Sequence, residues 1–280
     1  MKIKITSDST CDLSKEQLSL YDITLCPLVV NKGDESFRDG VDIFPQDIYD
    51  HVDAGGDLCT TSALNPMDYI EFFTPLVQDF DAVIHINLSS GISSCHQNAR
   101  LAAAQLENVY VIDSKNLSTG HGLLVLKAAE LAREGKTPEE IVELVNATAE
   151  KVSASFVLEQ LAYMRKGGRC SSVAALGANL LKLKPCIEVK DGTMGVAKKY
   201  RGSLEKCLRE YISDQLSDLS SICPQRVFIT HSSVSPEIEA LAVNLVRETG
   251  YFQEVCVTRA GCTICCHCGP GTLGVLFIRK

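Results

Sequence analysis

Short apolar runs alternate with amphipathic stretches along the first half of this chain, and the hydrophobic period switches repeatedly from two to 3.6. Ile3-Lys4-Ile5-Thr6 reads as a strand running into Ser7-Asp8-Ser9-Thr10, Ser14 to Tyr21 as a short helix, and Ile23 to Val30 as a second strand. Asn65-Pro66 opens a helix to about Phe80, with proline at a tolerated first-turn position. Ala82 to Leu88 is a buried strand leaving through Ser89 to Ser94. Ile92 to Leu106 is a helix, Val109 to Asp113 a strand and Ser118 to Glu134 a helix. Thr137-Pro138-Glu139-Glu140 is a capping box that launches another helix. Repeated strand–helix–strand units make a parallel sheet covered by helices on both faces, and such sheets bind ligands outside the carboxyl ends of their strands.

The second half has a different rhythm. Leu183 to Lys190 and Met194 to Tyr200 flank Asp191-Gly192, a tight-turn signal, and form a predicted hairpin. Helices are expected at about 203–218 and 236–249, strands at 226–231 and 253–258, and a last strand at Val275 to Arg279. The predicted architecture is therefore α/β with two domains: a three-layer parallel-sheet domain over 1–155 and a mixed-sheet α/β domain over 156–280. No Pro/Gly/Ser-rich linker, internal repeat or low-complexity stretch separates them, so close packing is expected.

Composition narrows the functional class. At 45% hydrophobic, with no tryptophan and 6% aromatics, the core must be aliphatic. No run approaches the ~18 apolar residues that span a bilayer, and the first residues lack the apolar run of a signal peptide; a cytoplasmic protein with no membrane segment is expected. Thirteen cysteines are an odd number in a long, core-rich chain. Cys26, Cys186, Cys207 and Cys256 sit in apolar runs, where a thiol packs as a small hydrophobe, so a reducing compartment is expected. A net charge of −8 argues against a nucleic-acid partner. Residues 165–209 nevertheless hold eleven Lys or Arg against three acids, +8, leaving −16 elsewhere. This is either a solvated face or a docking surface for an acidic protein or a phosphate.

Gly269-Pro270-Gly271-Thr272-Leu273-Gly274 imitates a dinucleotide fingerprint, but that pattern needs a following helix and second strand, for which the chain up to Lys280 leaves no room. Cys262, Cys265, Cys266 and Cys268 with His267 imitate a metal knuckle. Adjacent cysteines diverge if extended and no second C-x-x-C pair is distant in sequence, so no metal is expected. No nucleophile elbow and no phosphate-binding Walker loop is present. His51 and His96 are placed on helix faces, His85 within a strand, His121 at a helix start and His231 at a strand end, each as a structural histidine. Four segments combine hydroxyls with backbone donors: Ser7 to Thr10, Thr60 to Pro66, Ser89 to Ser94, and the His267 turn. Each is readable as helix capping or as an anion cradle.

Taken in order, these segments resemble the DegV family of bacterial fatty-acid-binding proteins over the whole chain. The matching blocks are Thr6-Ser7-Asp8-Ser9; Thr61-Ser62 with Pro66; Ser89-Ser90-Gly91-Ile92-Ser93; Val111-Ile112-Asp113-Ser114 with Ser118 and Gly120; Leu161 through Arg169; Lys184-Pro185; and Gly261 through His267 to Gly274. The resemblance implies a two-domain α/β protein that buries one long-chain, palmitate-like fatty acid between its domains. It further implies that the carboxylate is presented to a partner fatty acid kinase, in lipid transport or fatty acid metabolism. The chain would then be a carrier rather than an enzyme, with no cofactor beyond its lipid. By motif position the carboxylate-binding hydroxyls fall on Thr61 and Ser93, with Ser62 and Ser94 beside them. The imidazole falls on His267, and the basic loop near the pocket mouth on Arg165 and Arg169, assigned to partner docking. Ala63-Leu64-Asn65 and Ser94-Cys95 depart from the usual pattern, which bears on pocket lining and chain preference. Two other classes stay open: a small-molecule phosphate or acyl transferase using the same Ser/Thr loops, and a redox or metal sensor using Cys262 to Cys268.

Overall fold

The computed structural model describes residues 1–176 and 183–280. In chain order its strands are β1 (Ile3–Asp8), β2 (Thr24–Cys26), β3 (Val29–Lys32), β4 (Glu35–Arg38), β5 (Thr60–Ser62), β6 (Ala82–Asn87), β7 (Val109–Asp113), β8 (Val152–Val157), β9 (Leu183–Lys190), β10 (Thr193–Arg201), β11 (Ile222–Ser232), β12 (Glu254–Arg259) and β13 (Thr272–Arg279). Its helices are α1 (Lys15–Tyr21), α2 (Pro45–Asp53), α3 (Pro66–Asp79), α4 (Cys95–Ala103), α5 (Ser118–Arg133), α6 (Pro138–Ala149), α7 (Leu161–Gly167), α8 (Ser171–Ala174), α9 (Leu204–Gln215), α10 (Pro236–Arg247) and α11 (Cys262–Cys268).

The four strands β2-β1-β6-β7 pair in parallel throughout. Six strands form a mixed sheet in the order β10-β9-β8-β13-β11-β12, antiparallel except for β11 with β12. The Asp191-Gly192 hairpin forms as expected, with both residues at positive φ as a primed turn requires. The mixed sheet begins with β8, so the boundary placed near residue 155 falls inside one of its strands; sheet membership changes between Asp113 and Val152.

Helix α5 lies between the two sheets. It packs on β1 and β6 on one side and on β8, β11 and β13 on the other. Most of its residues are buried, and the charged Lys127, Glu130 and Arg133 are among the exceptions in its later turns. The main core therefore runs through both halves, from Ile84, Ile86 and Ile112 through Leu124 and Leu126 to Phe156, Phe228 and Leu276.

Three expectations are corrected. Ile23 to Val30 is not one strand. Pro27 lacks an N–H and the Leu28 N–H is taken by Ser9 Oγ at 3.1 Å, so the chain leaves the parallel sheet there. It enters a small antiparallel sheet, β4-β3-β5, that periodicity did not reveal because its strands have three or four residues. Ile92 does not begin a helix: Ile92 to Ser94 stay in the exit loop of β6 and α4 starts at Cys95. Finally, Cys262 to Cys268, whose adjacent cysteines would diverge only if extended, is helical. Cys262, Cys265 and Cys266 share one face, packed with Val30, Ile43, Tyr49 and Tyr163. Among the described residues no His/Cys/Asp/Glu group is arranged to hold a metal.

Candidate functional site

In the parallel sheet the strand order reverses between β1 and β6, so the loops leaving them diverge and open a crevice at their carboxyl ends. The β6 exit loop, Ser89 to Ser94, forms one wall of a cavity of about 430 Å³ there. β5 forms a second wall, α11 a third, and the C-terminal half closes it with Met164, Arg169 and Met194. The wall residues divide by chemistry. Leu28, Leu88, Ile92, Leu117, Met164, Met194 and Ile264 are apolar, while Thr61, Ser62, Ser90, Ser93, Ser94 and His267 bring polar atoms.

Thr61 lies on β5, paired with Val30 of β3, and not on a loop of the parallel sheet as expected. Its Oγ1 is 2.8 Å from His267 Nε2, across 206 residues of sequence. Capping of the following helix is done by Asn65, whose Oδ1 accepts from the Met67 and Asp68 N–H groups. The Thr61 hydroxyl is thus committed to the cavity. Ser62 is partly engaged, its Oγ accepting from Asn31 Nδ2 at 2.9 Å. Ser93 combines both readings, since it lines the cavity while its Oγ accepts the Cys95 N–H at 3.2 Å. Ser94 stands at the N-cap of α4 with no side-chain cap bond, leaving its hydroxyl for the cavity.

Burial and, secondarily, the positive charge of Arg169 push His267 down to about 4, so its imidazole is neutral near pH 7. Its Nδ1 is buried without a hydrogen-bond partner among the described residues. The ring sits against α7 because residue 167 is glycine: a Cβ there would lie 2.2 Å from Nδ1. Arg169 borders the cavity and donates to the Gly167 carbonyl at 2.7 Å. Arg165, expected beside it, does not line the cavity and donates to the Leu176 carbonyl. The stretch of the basic segment at 177–182 lies outside the described residues.

Two acids that sequence reading left without a role hold α11 in place. Asp39 accepts from the Cys262 and Thr263 N–H groups at 2.9 and 3.0 Å, from Thr263 Oγ1 at 2.7 Å and from Ser9 Oγ at 3.0 Å. Asp12 accepts from the Gly261 N–H at 2.8 Å and from Ser118 Oγ at 2.5 Å. Carboxyl groups from the first half thus satisfy the orphan donors of a helix from the second half. Burial raises Asp12 to about 8. The rim is fixed similarly: Ser89 Oγ donates to the Gly192 carbonyl at 2.6 Å, and a Cβ on Gly91 would lie 2.6 Å from that same oxygen.

The segment Ser7 to Thr10 does not reach the cavity. Ser7 Oγ is 3.0 Å from His121 Nε2, and Asp8 Oδ1 is 3.8 Å from Nδ1, an order that imitates a catalytic triad. All three side chains are fully buried, Nε2 is shared with the Ile86 carbonyl, and Asp8 accepts from Thr10 and the Leu88 N–H. This network ties the ends of β1 and β6 together. His85 likewise contacts Thr6 Oγ1 and Asn87 within the core.

Two sheets around a shared central helix, with a cavity lined partly by hydroxyls and partly by hydrocarbon, define a mixed α/β protein. The chain belongs to the DegV family: the family model described as "Uncharacterised protein, DegV family" matches residues 2–280. A DegV domain-containing protein of Clostridium acetobutylicum is 36% identical over 281 residues, covering 100% of this chain and 99% of its relative. Among solved structures, a fatty-acid-binding DegV family protein from Thermus thermophilus matches with a TM-score of 0.92 at 28% identity. DegV, a fatty acid binding protein from Bacillus subtilis, matches at 0.88 and 29%; both pairs are covered over their whole lengths.

Proposed function

We propose that this protein binds one long-chain fatty acid in the cavity between its two sheets and presents the carboxylate to a partner kinase. The observation that carries this reading is the Thr61–His267 contact, 2.8 Å long, on the wall of a cavity whose lining joins a cluster of hydroxyls to Leu, Ile and Met side chains. A volume of about 430 Å³ falls within the ordinary range of small-molecule sites, roughly 300–1,000 Å³. Burying about 14 methylenes at ~0.8 kcal/mol each gives roughly 11 kcal/mol before the cost of immobilisation. The acyl chain supplies affinity; the head group supplies selectivity. A buried carboxylate without partners is costly. Hydroxyls of Thr61, Ser62, Ser93 and Ser94, backbone N–H groups at the start of α4 and the His267 imidazole offset that cost. Each charge-assisted hydrogen bond of this kind contributes about 1.5–3 kcal/mol. Arg169 adds positive charge at the cavity wall. The two solved relatives described as fatty acid binding support the assignment.

Native mass spectrometry of the purified protein, with extraction of what it retains, tests the reading directly. Thr61→Val combined with Ser93→Ala is expected to reduce fatty acid affinity at least tenfold, about 1.4 kcal/mol, while leaving circular dichroism unchanged. Wild-type occupancy in that double variant would remove the carboxylate site. Arg165 does not line the cavity, so Arg165→Glu is expected to weaken kinase coupling and leave lipid binding intact. Equal phosphorylation by the kinase would exclude Arg165 from docking.

A further inference from the structure

The Thr61–His267 contact has a neighbour one step along both elements. Cys59 lies two residues before Thr61, so the two share a side of the extended chain, and Cys266 immediately precedes His267 on α11. Thr61 and His267 meet at 2.8 Å, which brings the positions beside them, Cys59 and Cys266, into one buried cluster. Both sit in the buried cluster formed by Val30, Tyr49 and Tyr163, and α11 packs directly on β5. All described cysteines are free, so this pair is in the dithiol state.

The two sulfurs are not equivalent. The proximity of Cys266 lowers Cys59, whereas the proximity of Cys59 together with burial pushes Cys266 up. Burial alone takes other thiols the other way: Cys11, Cys186 and Cys265 are raised to about 12. Cys59 is the sulfur that this pairing favours as the thiolate, with Cys266 in the same buried cluster.

We propose that Cys59 and Cys266 are an oxidative modification site: a dithiol that hydrogen peroxide converts to a disulfide across the seam between β5 and α11. Cys59 thiolate attacks one peroxide oxygen; the O–O bond breaks, hydroxide leaves and takes up a proton, and Cys59 becomes a sulfenic acid. The Cys266 sulfur then attacks the sulfenic sulfur. The S–S bond forms, the S–O bond breaks, and a second water leaves carrying the Cys266 proton. Two thiols are oxidised, one peroxide is reduced, and two waters are released. With Cys59 4% and Cys266 2% exposed, a small neutral peroxide reaches the pair where a bulky disulfide reagent does not. The cross-link fastens the strand bearing Thr61 to the helix bearing His267, so these cavity walls can no longer part. Its effect on ligand exchange rests on the fatty acid reading above; disulfide formation itself does not.

The test has two separate arms. Protein treated with hydrogen peroxide and then alkylated is digested and mapped. The expected product is a Cys59–Cys266 linked peptide, with the other described thiols alkylated; no such peptide, or equal linkage at unrelated cysteines, overturns the site. In the second arm, release of a fluorescent long-chain fatty acid is followed before and after oxidation. Oxidised wild-type protein is expected to release it several-fold more slowly, reversibly with dithiothreitol, and Cys59→Ser and Cys266→Ala are each expected to abolish the change. An unchanged rate in protein shown to carry the disulfide overturns the gating while leaving the modification site standing. Failure of reduced wild-type protein to bind the probe at all would instead count against the fatty acid reading.

Discussion

His267 is held by what is missing from its neighbour. Gly167 leaves room for the imidazole, and Gly167→Ala would put a methyl 2.2 Å from Nδ1. The ring must then move away from Thr61. Fatty acid affinity is expected to fall at least tenfold, read by displacement of a fluorescent lipid; unchanged affinity would show that the imidazole takes no part in head-group binding. The same residue gives a pH signature. Its folded value of about 4 lies below the usual 6.5, so the folded protein binds fewer protons than the unfolded chain between those limits. Stability is therefore full above pH 6.5 and falls as pH drops toward 4, with His85, lowered to about 3 by burial, acting in the same direction. Asp12 acts oppositely: raised to about 8, it favours the fold at low pH and loses that contribution as pH rises from about 4 to 8. Denaturant midpoints across pH 4–7 should rise less steeply in His267→Gln than in the parent; identical slopes would mean the imidazole is not desolvated.

At the scale of elements, α11 carries one side of the cavity and depends on acids far away in sequence. Asp39→Ala orphans the donors of Cys262, Thr263 and Ser9, and an unpaired buried polar group costs about 1–3 kcal/mol. Urea unfolding is expected to show at least that loss, with Asp39→Asn falling between because it keeps one acceptor oxygen. No loss would mean the helix is held by its apolar face alone. This dependence also marks the limit of what the sequence disclosed. Long periodic elements such as α3, β6, α5 and the β9–β10 hairpin were legible because their pattern and caps are local. Thr61, Ser93 and His267 could be singled out from motifs, and they do line one cavity. The placement of Thr61 on a three-residue strand could not be read, because β5 owes its existence to pairing with β3 rather than to its own pattern. Nor could the helicity of Cys262 to Cys268, whose capping acids lie more than 200 residues upstream. The apolar lining, Leu28, Met164 and Met194 among it, carries no local mark, since lining and core residues are chemically alike.

For the molecule as a whole, the decisive element is α5, shared by both sheets. Leu124 is fully buried in the core that spans them. Leu124→Ala is expected to cost about 2–5 kcal/mol. Hydrogen exchange should show amides of β1 and β6 losing protection together with those of β8 and β13. Protection lost on one side only would make the halves independent folding units. The seating of the Asp191-Gly192 tip on the Ser89 carries a last consequence. On the proposed fatty-acid reading, guest size is a matter of architecture, because the container is assembled from pieces that belong to different layers and the latch between them sets its capacity. Adding a residue at that tip is expected to alter which acyl lengths the protein retains without touching a single lining side chain, a shift that lipid extraction would reveal.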